Sequence, residues 1–408
     1  MPEVRPFAAI RYRVSDSELA RVLAPPYDVI PPDYQRALYE RDPRNVVRLV
    51  LNRTEGDAGY EEVGETYRRW RSEGLLAPDA EPALYLLEQS FEAEGRRLKR
   101  TGVMARFRAE DPGGSVLPHE QTRPAAREDR YRVLEATRAN FSPIFLMFPD
   151  AGGRFARAAD AVRADPPLAA YTDDGGVAQR MWRITEAATV AEMRDAIGSE
   201  RAYIADGHHR HATALRYRDE FGPEGAWTLG YFTPLDAPGL VVLPYHRVLS
   251  EGPGPEQARR ALRAHFRVRE MEGATSAARE AARSSSPYAF GLAWRGHGAL
   301  VAEALPEAQR LLPDTAPPSL RALDAYLLHQ AVLPELLRVP ASAVGYVHSL
   351  AEAEEAIGSG RSALAALLRP TPVRQVVEVA EAGQSMPAKS TFFHPKLPSG
   401  LVIHPLLA

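Results

Sequence analysis

The segment Asp206-Gly-His-His-Arg-His-Ala-Thr213 concentrates more potential chemistry than any other part of the chain. An apolar run, Ala202–Ile204, leads into Asp206-Gly207, and a helix-forming stretch follows over 209–220. That order is strand, tight glycine turn, helix start. It aims unsatisfied backbone N–H groups at whatever lies above the turn, and the helix dipole favours an anion there. His208, His209 and Arg210 add side-chain donors at the same place. The pattern describes a phosphate-binding turn built from Gly207, His208, His209 and Arg210. A metal held by His208, His209 and His211 fits less well, because adjacent histidines point in different directions and one ion rarely takes all three. Mg2+ carried on phosphates, with Asp206 as its carboxylate, suits the segment better.

Four further segments carry candidate chemistry. Leu117-Pro-His-Glu-Gln-Thr122 follows Asp111-Pro-Gly-Gly114 and therefore sits on a loop, where His119-Glu120 can supply a general base and its orienting partner. It has no second histidine at metalloprotease spacing. Ala24-Pro-Pro-Tyr-Asp-Val-Ile30 presents Tyr27 and Asp28 on a backbone stiffened by two prolines. Leu243-Pro-Tyr-His-Arg247 brings His246 and Arg247 to a strand end, where side chains often face a cleft. In Met386–Lys396, Lys389-Ser390-Thr391 matches the end of a P-loop without its preceding glycines. A lysine beside two hydroxyls still binds phosphate through charge and hydrogen bonds.

Composition narrows the function classes. The 408 residues allow two or three domains, and 45% hydrophobic with 25% charged residues is ordinary for a globular chain. A formal charge of −3 gives no electrostatic case for nucleic acid. There is no cysteine, which excludes disulfides, zinc–thiolate sites and thiol nucleophiles. No stretch approaches the roughly 18 apolar residues of a membrane helix, and Met1–Arg5 does not open a signal peptide, so cytoplasmic residence is the expectation. Of 50 basic residues only Lys99, Lys389 and Lys396 are lysine. Against such a drift to arginine, a surviving lysine suggests a place where a compact point charge is needed and a planar fork does not serve. Two of the three stand in Met386–Lys396.

The elements that must position these residues mix helices and strands. Ala83–Glu92 and Arg97–Arg108 alternate like paired strands, with Glu94-Gly95 as their turn. Tyr60–Glu73 is an amphipathic helix. Val46–Leu51 and Arg374–Val379 read as short buried strands, and Arg321–Leu337 as a helix broken near Pro334. Gly252-Pro-Gly-Pro255 marks a boundary, which gives domains 1–250 and 251–408, with the segment 383–398 returning to the site. Strict βαβ order is missing, so the expected class is α+β, mixed sheets with flanking helices.

Taken together, Val4-Arg-Pro-Phe7, Ala24–Ile30, Pro118–Thr122 with Asp129-Arg130, Ile204–Arg210, Pro244–Arg247 and Met386–Lys396 resemble, in order and over nearly the whole chain, the family called domain of unknown function 1015. The resemblance implies a role near serine biosynthesis. Locally, Asp206–Ala212 looks like the phosphate-binding motif of the superfamily that includes ParB partition proteins, sulfiredoxin and free-serine kinases. Sulfiredoxin carries its reactive cysteine at the position of His208, so that activity is excluded here. ParB proteins use the motif to bind a nucleotide and read DNA through a helix-turn-helix that this chain does not show. The serine kinases use the turn for nucleotide phosphates and a glutamate as base.

These resemblances imply a ParB/sulfiredoxin-like core elaborated by a second α+β domain. They imply a phosphotransferase that uses ATP or ADP with Mg2+ on a small hydroxyl metabolite, L-serine first. In that scheme Glu120 is the base, oriented by His119, while Asp206 holds Mg2+ or shares the base role. Gly207, His208, His209, Arg210, Lys389, Ser390 and Thr391 hold phosphates, and Tyr27, Asp28, Thr122, Arg130, His246 and Arg247 contact substrate. A phosphoserine phosphatase-like hydrolase and a non-catalytic nucleotide-binding switch are the alternatives. The expected partners are nucleotide and substrate, without nucleic acid or membrane, and the reading admits a homodimer.

Overall fold

The alternating runs near residues 84–108 pair as expected. In the computed structural model, which describes residues 1–93 and 95–406, they form β-strands Leu84–Ala93 and Arg96–Arg108 in antiparallel register, with Leu87 opposite Gly102. Glu94 of the expected turn lies outside the described residues. The chain divides into two compact units. The first comprises Met1–Pro118, Thr122–Val241 and Pro395–Ala408, and the second comprises His119–Gln121 and Val242–His394. These boundaries depart from 1–250 and 251–408. Residues 247–249 pair with 364–366 and residues 246–249 with 344–347 of the second unit, and residues 403–405 pair back into the first.

The first unit is built on a mixed sheet of nine strands among the described residues: β1 (Val4–Arg5), β2 (Leu84–Ala93), β3 (Arg96–Arg108), β4 (Val116–Leu117), β5 (Ile144–Phe148), β6 (Ala169–Thr172), β7 (Ala178–Ile184), β8 (Ala202–Asp206) and β9 (Trp227–Pro234). The order is β4-β8-β5-β9-β3-β2-β7-β6, with β1 on β3. β8 runs parallel to β4 and β9 parallel to β5, while β8–β5 and β9–β3 are antiparallel. One face buries Leu84, Leu86, Val103, Ala105, Phe107, Ile144, Leu146, Ile204 and Phe232 against Phe155, Met193 and Ile197 of flanking helices. Helices α1 (Pro124–Thr137) and α2 (His208–Phe221) pack together, and a small cluster of Tyr131, Leu134 and Tyr217 joins them. The last segment of the chain threads this unit: Ser399 bridges Ala24, Ile403 bridges Ile10, and His404 pairs with Asn140.

The second unit holds an antiparallel sheet of β10 (His246–Leu249), β11 (Phe266–Met271), β12 (Ala289–Trp294), β13 (Ala299–Ala304), β14 (Val344–Val347) and β15 (Leu364–Leu368), in the order β11-β13-β12-β15-β10-β14. Its core gathers Leu262, Phe266, Phe290, Leu292, Leu328, Val332 and Leu364. The molecule is therefore α+β with mixed sheets.

Three sequence expectations are corrected. Residues 47–50 are helical, because the Asn45 side chain accepts from the Val47 N–H at 2.9 Å and donates to the carbonyls of Arg21 and Leu23, a turn that outweighs the β-branched composition. Residues 373–381 form a helix, α3 (Val373–Glu381), whose buried Val376, Val379 and Ala380 follow a helical rather than a two-residue repeat. Around Pro334 the helix does not break, because Leu328–Leu336 is wound as a π-helix. Among the described residues no helix is long and apolar enough to cross a membrane.

Candidate functional site

β8 delivers Asp206 to its position. Four apolar residues of the strand are buried, and its register against β5 shifts between Ile204 and Asp206, a bulge that re-aims the last side chain. Gly207 then turns at φ +97° and caps α2. The backbone at this φ favours glycine, and a Cβ there would stand 3.0 Å from the Arg210 guanidinium and press on it. No side chain caps α2, and its first turn contains no acidic residue. The first N–H groups of a 14-residue helix thus open onto this turn as an anion-binding end.

The charged groups around the turn form a compact cluster. Arg210 Nη2 donates to Asp206 Oδ2 at 2.5 Å, and its Nη1 donates to the Pro143 carbonyl. Lys396 donates to Asp206 Oδ1. Only 9% of the Lys396 side chain and 14–16% of those of Arg210 and Asp206 are exposed. Burial by itself would raise the Asp206 carboxyl, but Lys396 and then Arg210 hold it far below the usual carboxylate range. Two cations on one anion leave one net positive charge at the positive end of a helix.

A second layer places Lys396. Arg100, fully buried in β3, stacks 4.5 Å from the Phe145 ring centre and donates to Gln89 of β2. It also donates to the Pro395 carbonyl at 2.5 Å, while Gln89 donates to the Lys396 carbonyl at 3.2 Å. Lys396 therefore reaches Asp206 from a backbone pinned at two successive peptides.

The other expected residues of this unit fall into place around the turn or away from it. Tyr27 lies under the Arg130 guanidinium at 3.9 Å, and both line a small pocket with Arg210, Thr213, Asn140 and Ser142. Arg130 is anchored by Asp129 and the Val50 carbonyl at 2.6 Å. Asp28 is exposed and Thr122 half-buried. His208 is buried beside Asp206. His209 Nε2 accepts from the Arg123 N–H at 3.0 Å, which spends that lone pair on the start of α1. His211 faces the interior, where burial and then Arg218 push it down to about 4, so it is neutral at pH 7.

Asp206, expected as a carboxylate for magnesium carried on phosphates or as a shared base, stands among cations. Both of its oxygens accept from cationic side chains, and a divalent ion would meet Lys396 and Arg210 there. No group of three or more His, Asp or Glu among the described residues is arranged to hold a metal. The donor set does not fit a protein-held Mg2+. Asp206 pairs with both Lys396 and Arg210.

The second unit brings together segments far apart in sequence. The Met386 N–H donates to the His119 carbonyl at 2.8 Å, Glu120 bridges Met386, and His119 Nε2 lies 3.2 Å from Thr391 Oγ1. Ser390 closes a turn by donating to the Pro387 carbonyl at 2.6 Å. Lys389, at φ +60°, donates to the Tyr245 hydroxyl at 3.3 Å. His246, expected as a substrate contact, is buried and accepts from the Leu368 N–H at 3.2 Å; burial and then Arg247 push it down to about 4. It ties β10 to β15, a structural task. Arg247 is fully buried, donating to His329 at 3.0 Å and to the Tyr245 carbonyl at 2.5 Å.

Sequence reasoning did not assign Lys396, Arg100 or Gln89 to this cluster. The rarity of lysine pointed to Lys396 as much as to Lys389, whereas nothing in an alternating strand pattern distinguishes Gln89 or Arg100.

A family model described as protein of unknown function (DUF1015) matches residues 4–326. No curated protein matches the chain. Among solved structures, the chain is similar to a free serine kinase in complex with AMP, at 16% identity over 70% of this chain and 89% of that one, TM-score 0.34. It is also similar to a conserved hypothetical protein from Pyrococcus furiosus, at 14% identity over 71% and 92%, TM-score 0.36. A third is SbnI with C-terminal truncation from Staphylococcus aureus, at 12% identity over 72% and 86%, TM-score 0.36.

Proposed function

The chain belongs to the DUF1015 family of proteins of unknown function, and from that premise we propose that it is a nucleotide-dependent phosphotransferase acting on a small hydroxyl metabolite, L-serine being the best candidate. The observation that carries this reading is the cluster at the start of α2: an uncapped helix N-terminus, a glycine turn, and Arg210 and Lys396 held on a shared, ionised Asp206. Phosphoryl transfer is mostly positioning and charge stabilisation, and this cluster is equipped for both. The phosphates of ATP or ADP take the backbone N–H groups of His208, His209 and Arg210. Arg210 and Lys396 then neutralise charge that spreads over the transferred group. Asp206 keeps both cations in place before the nucleotide arrives.

In this proposal Glu120 accepts the proton of the attacking hydroxyl. Its residue type and its place in the Pro118–Thr122 motif support the role, as does the buried His119, which fixes the segment through Thr391 and Met386. The decisive assay incubates purified protein with L-serine and ATP or ADP, with and without Mg2+, and looks for phosphoserine. Glu120→Gln is expected to lose turnover by about 100-fold or more while ADP affinity is retained. Retained turnover removes Glu120 as the base. Phosphate release from phosphoserine without nucleotide selects a hydrolase instead, and nucleotide binding without any turnover selects a regulatory switch.

A further inference from the structure

The second unit contains a cavity of about 500 Å3 that the proposed phosphotransfer does not use. Its size suits a small metabolite, since ligand pockets run from roughly 300 to 1,000 Å3. Polar lining comes from Tyr245, Thr371, Gln375, Ser390, Asp324 and Arg369. The last two make a neutral wall. Arg369 forks onto Asp324 at 2.7 Å from both Nε and Nη2, and its remaining N–H groups donate to the carbonyls of Ser284, Ser286 and Pro287. Neither charge is left to attract a ligand.

The positive charges near Tyr245 are not balanced in this way. Lys389 is the covalent neighbour of the lining residue Ser390, and its ammonium donates to the hydroxyl of the lining residue Tyr245 at 3.3 Å. It has no carboxylate partner among the described residues. It also holds a left-handed backbone, φ +60°, a strained conformation for a non-glycine residue and one that clusters at ligand sites. At the other end of Tyr245, the fully buried Arg247 donates to its carbonyl; Nη2 finds no partner, and no carboxylate compensates the charge among the described residues. A buried cation without a counter-ion is costly to keep. The neighbourhood of Tyr245 is short of an anion.

We propose that this cavity binds the phosphate monoester of a small metabolite, with Lys389 as the charge partner and the Ser390 and Thr371 hydroxyls beside it. A compact ammonium flanked by hydroxyls matches a tetrahedral phosphate better than a planar carboxylate. The Thr371 and Ser390 hydroxyls donate to the carbonyls of Ser390 and Pro387, and each can rotate its proton onto a phosphate oxygen instead.

The test is hydrogen exchange on the full-length chain with glycerol 3-phosphate as probe and malonate as the carboxylate control. Protection is expected over residues 370–376 and 388–391 with glycerol 3-phosphate and not with malonate. Lys389→Met is expected to weaken that protection at least about ten-fold in probe concentration, in line with loss of a charged hydrogen bond. Lys389→Arg should recover part of it. Exchange at residues 206–211 reads the phosphate turn of the first unit in the same samples. The two readings therefore fail separately: protection confined to 206–211, or equal protection in Lys389→Met, overturns this site and leaves the Gly207 turn standing. Protection by malonate alone also overturns it. A melting curve of Lys389→Met that matches the parent shows that the fold is intact, and Lys389→Arg carries the test if it does not.

Discussion

Replacing Lys396 by methionine keeps most of the side chain and removes its charge. Asp206 is then left with Arg210 alone, still 2.5 Å from Oδ2, while Oδ1 loses its donor inside a site where only about a sixth of the carboxylate side chain is exposed. A fully stranded buried charge costs roughly 3–5 kcal/mol; with one cation retained, about 2 kcal/mol is expected. For a unit of this size that is a fall in Tm of roughly 4–8 °C. The pH dependence has a definite sign. Asp206 has a folded-state pKa below its unfolded value, so the cluster stabilises the fold above about pH 4 and loses that contribution as pH falls toward the folded value. The gap between parent and variant should therefore be full at pH 7 and should close only as pH approaches the folded value, far below the ordinary carboxylate range. Binding supplies a second readout: loss of one charged contact to phosphate, about 1.5–3 kcal/mol, weakens ADP roughly 10- to 150-fold by calorimetry. Parental stability at pH 7, together with unchanged ADP affinity, would refute the assignment of Lys396 to an electrostatic phosphate site.

Two further outcomes follow from the same geometry. Gly207→Ala places a Cβ 3.0 Å from the Arg210 guanidinium on a backbone at φ +97°, and is expected to cost about 1–2 kcal/mol from the left-handed conformation alone. It should also displace Arg210, so ADP binding falls with stability, and a variant with parental affinity would contradict the cradle. His211, His246 and His329 are each pushed down to about 4, chiefly by burial, so the stability they allow is present above pH 6.5 and lost as pH falls toward 4. Chemical denaturation across that window should show a falling unfolding free energy, and His246→Gln should make the slope shallower.

How much was legible depended on how local the cause was. The strand–turn–helix at Ala202–Phe221 could be read because a run of apolar residues, one glycine and a helix-forming stretch act within a few residues of each other. The paired strands Leu84–Ala93 and Arg96–Arg108 were legible for the same reason. Val47–Val50 and Val373–Glu381 misled, since short apolar runs fit either period and the deciding contacts, Asn45 to Arg21 and Leu23 for one and the packing of Val376 and Val379 for the other, come from elsewhere.

Residue types alone established that the chain has no thiol chemistry, that the turn after Asp206 suits an anion, and that lysine is rare enough for each one to matter. They could not say which lysine meets Asp206. Tertiary structure decided for Lys396, because Arg100 and Gln89, some three hundred residues earlier in the chain, hold its backbone in place. It also turned His209 to the Arg123 amide, His246 to Leu368 and Asp206 to two cations. A side chain's chemistry belongs to its residue type, but its protonation and its free lone pairs belong to its neighbours, and only folding chooses those.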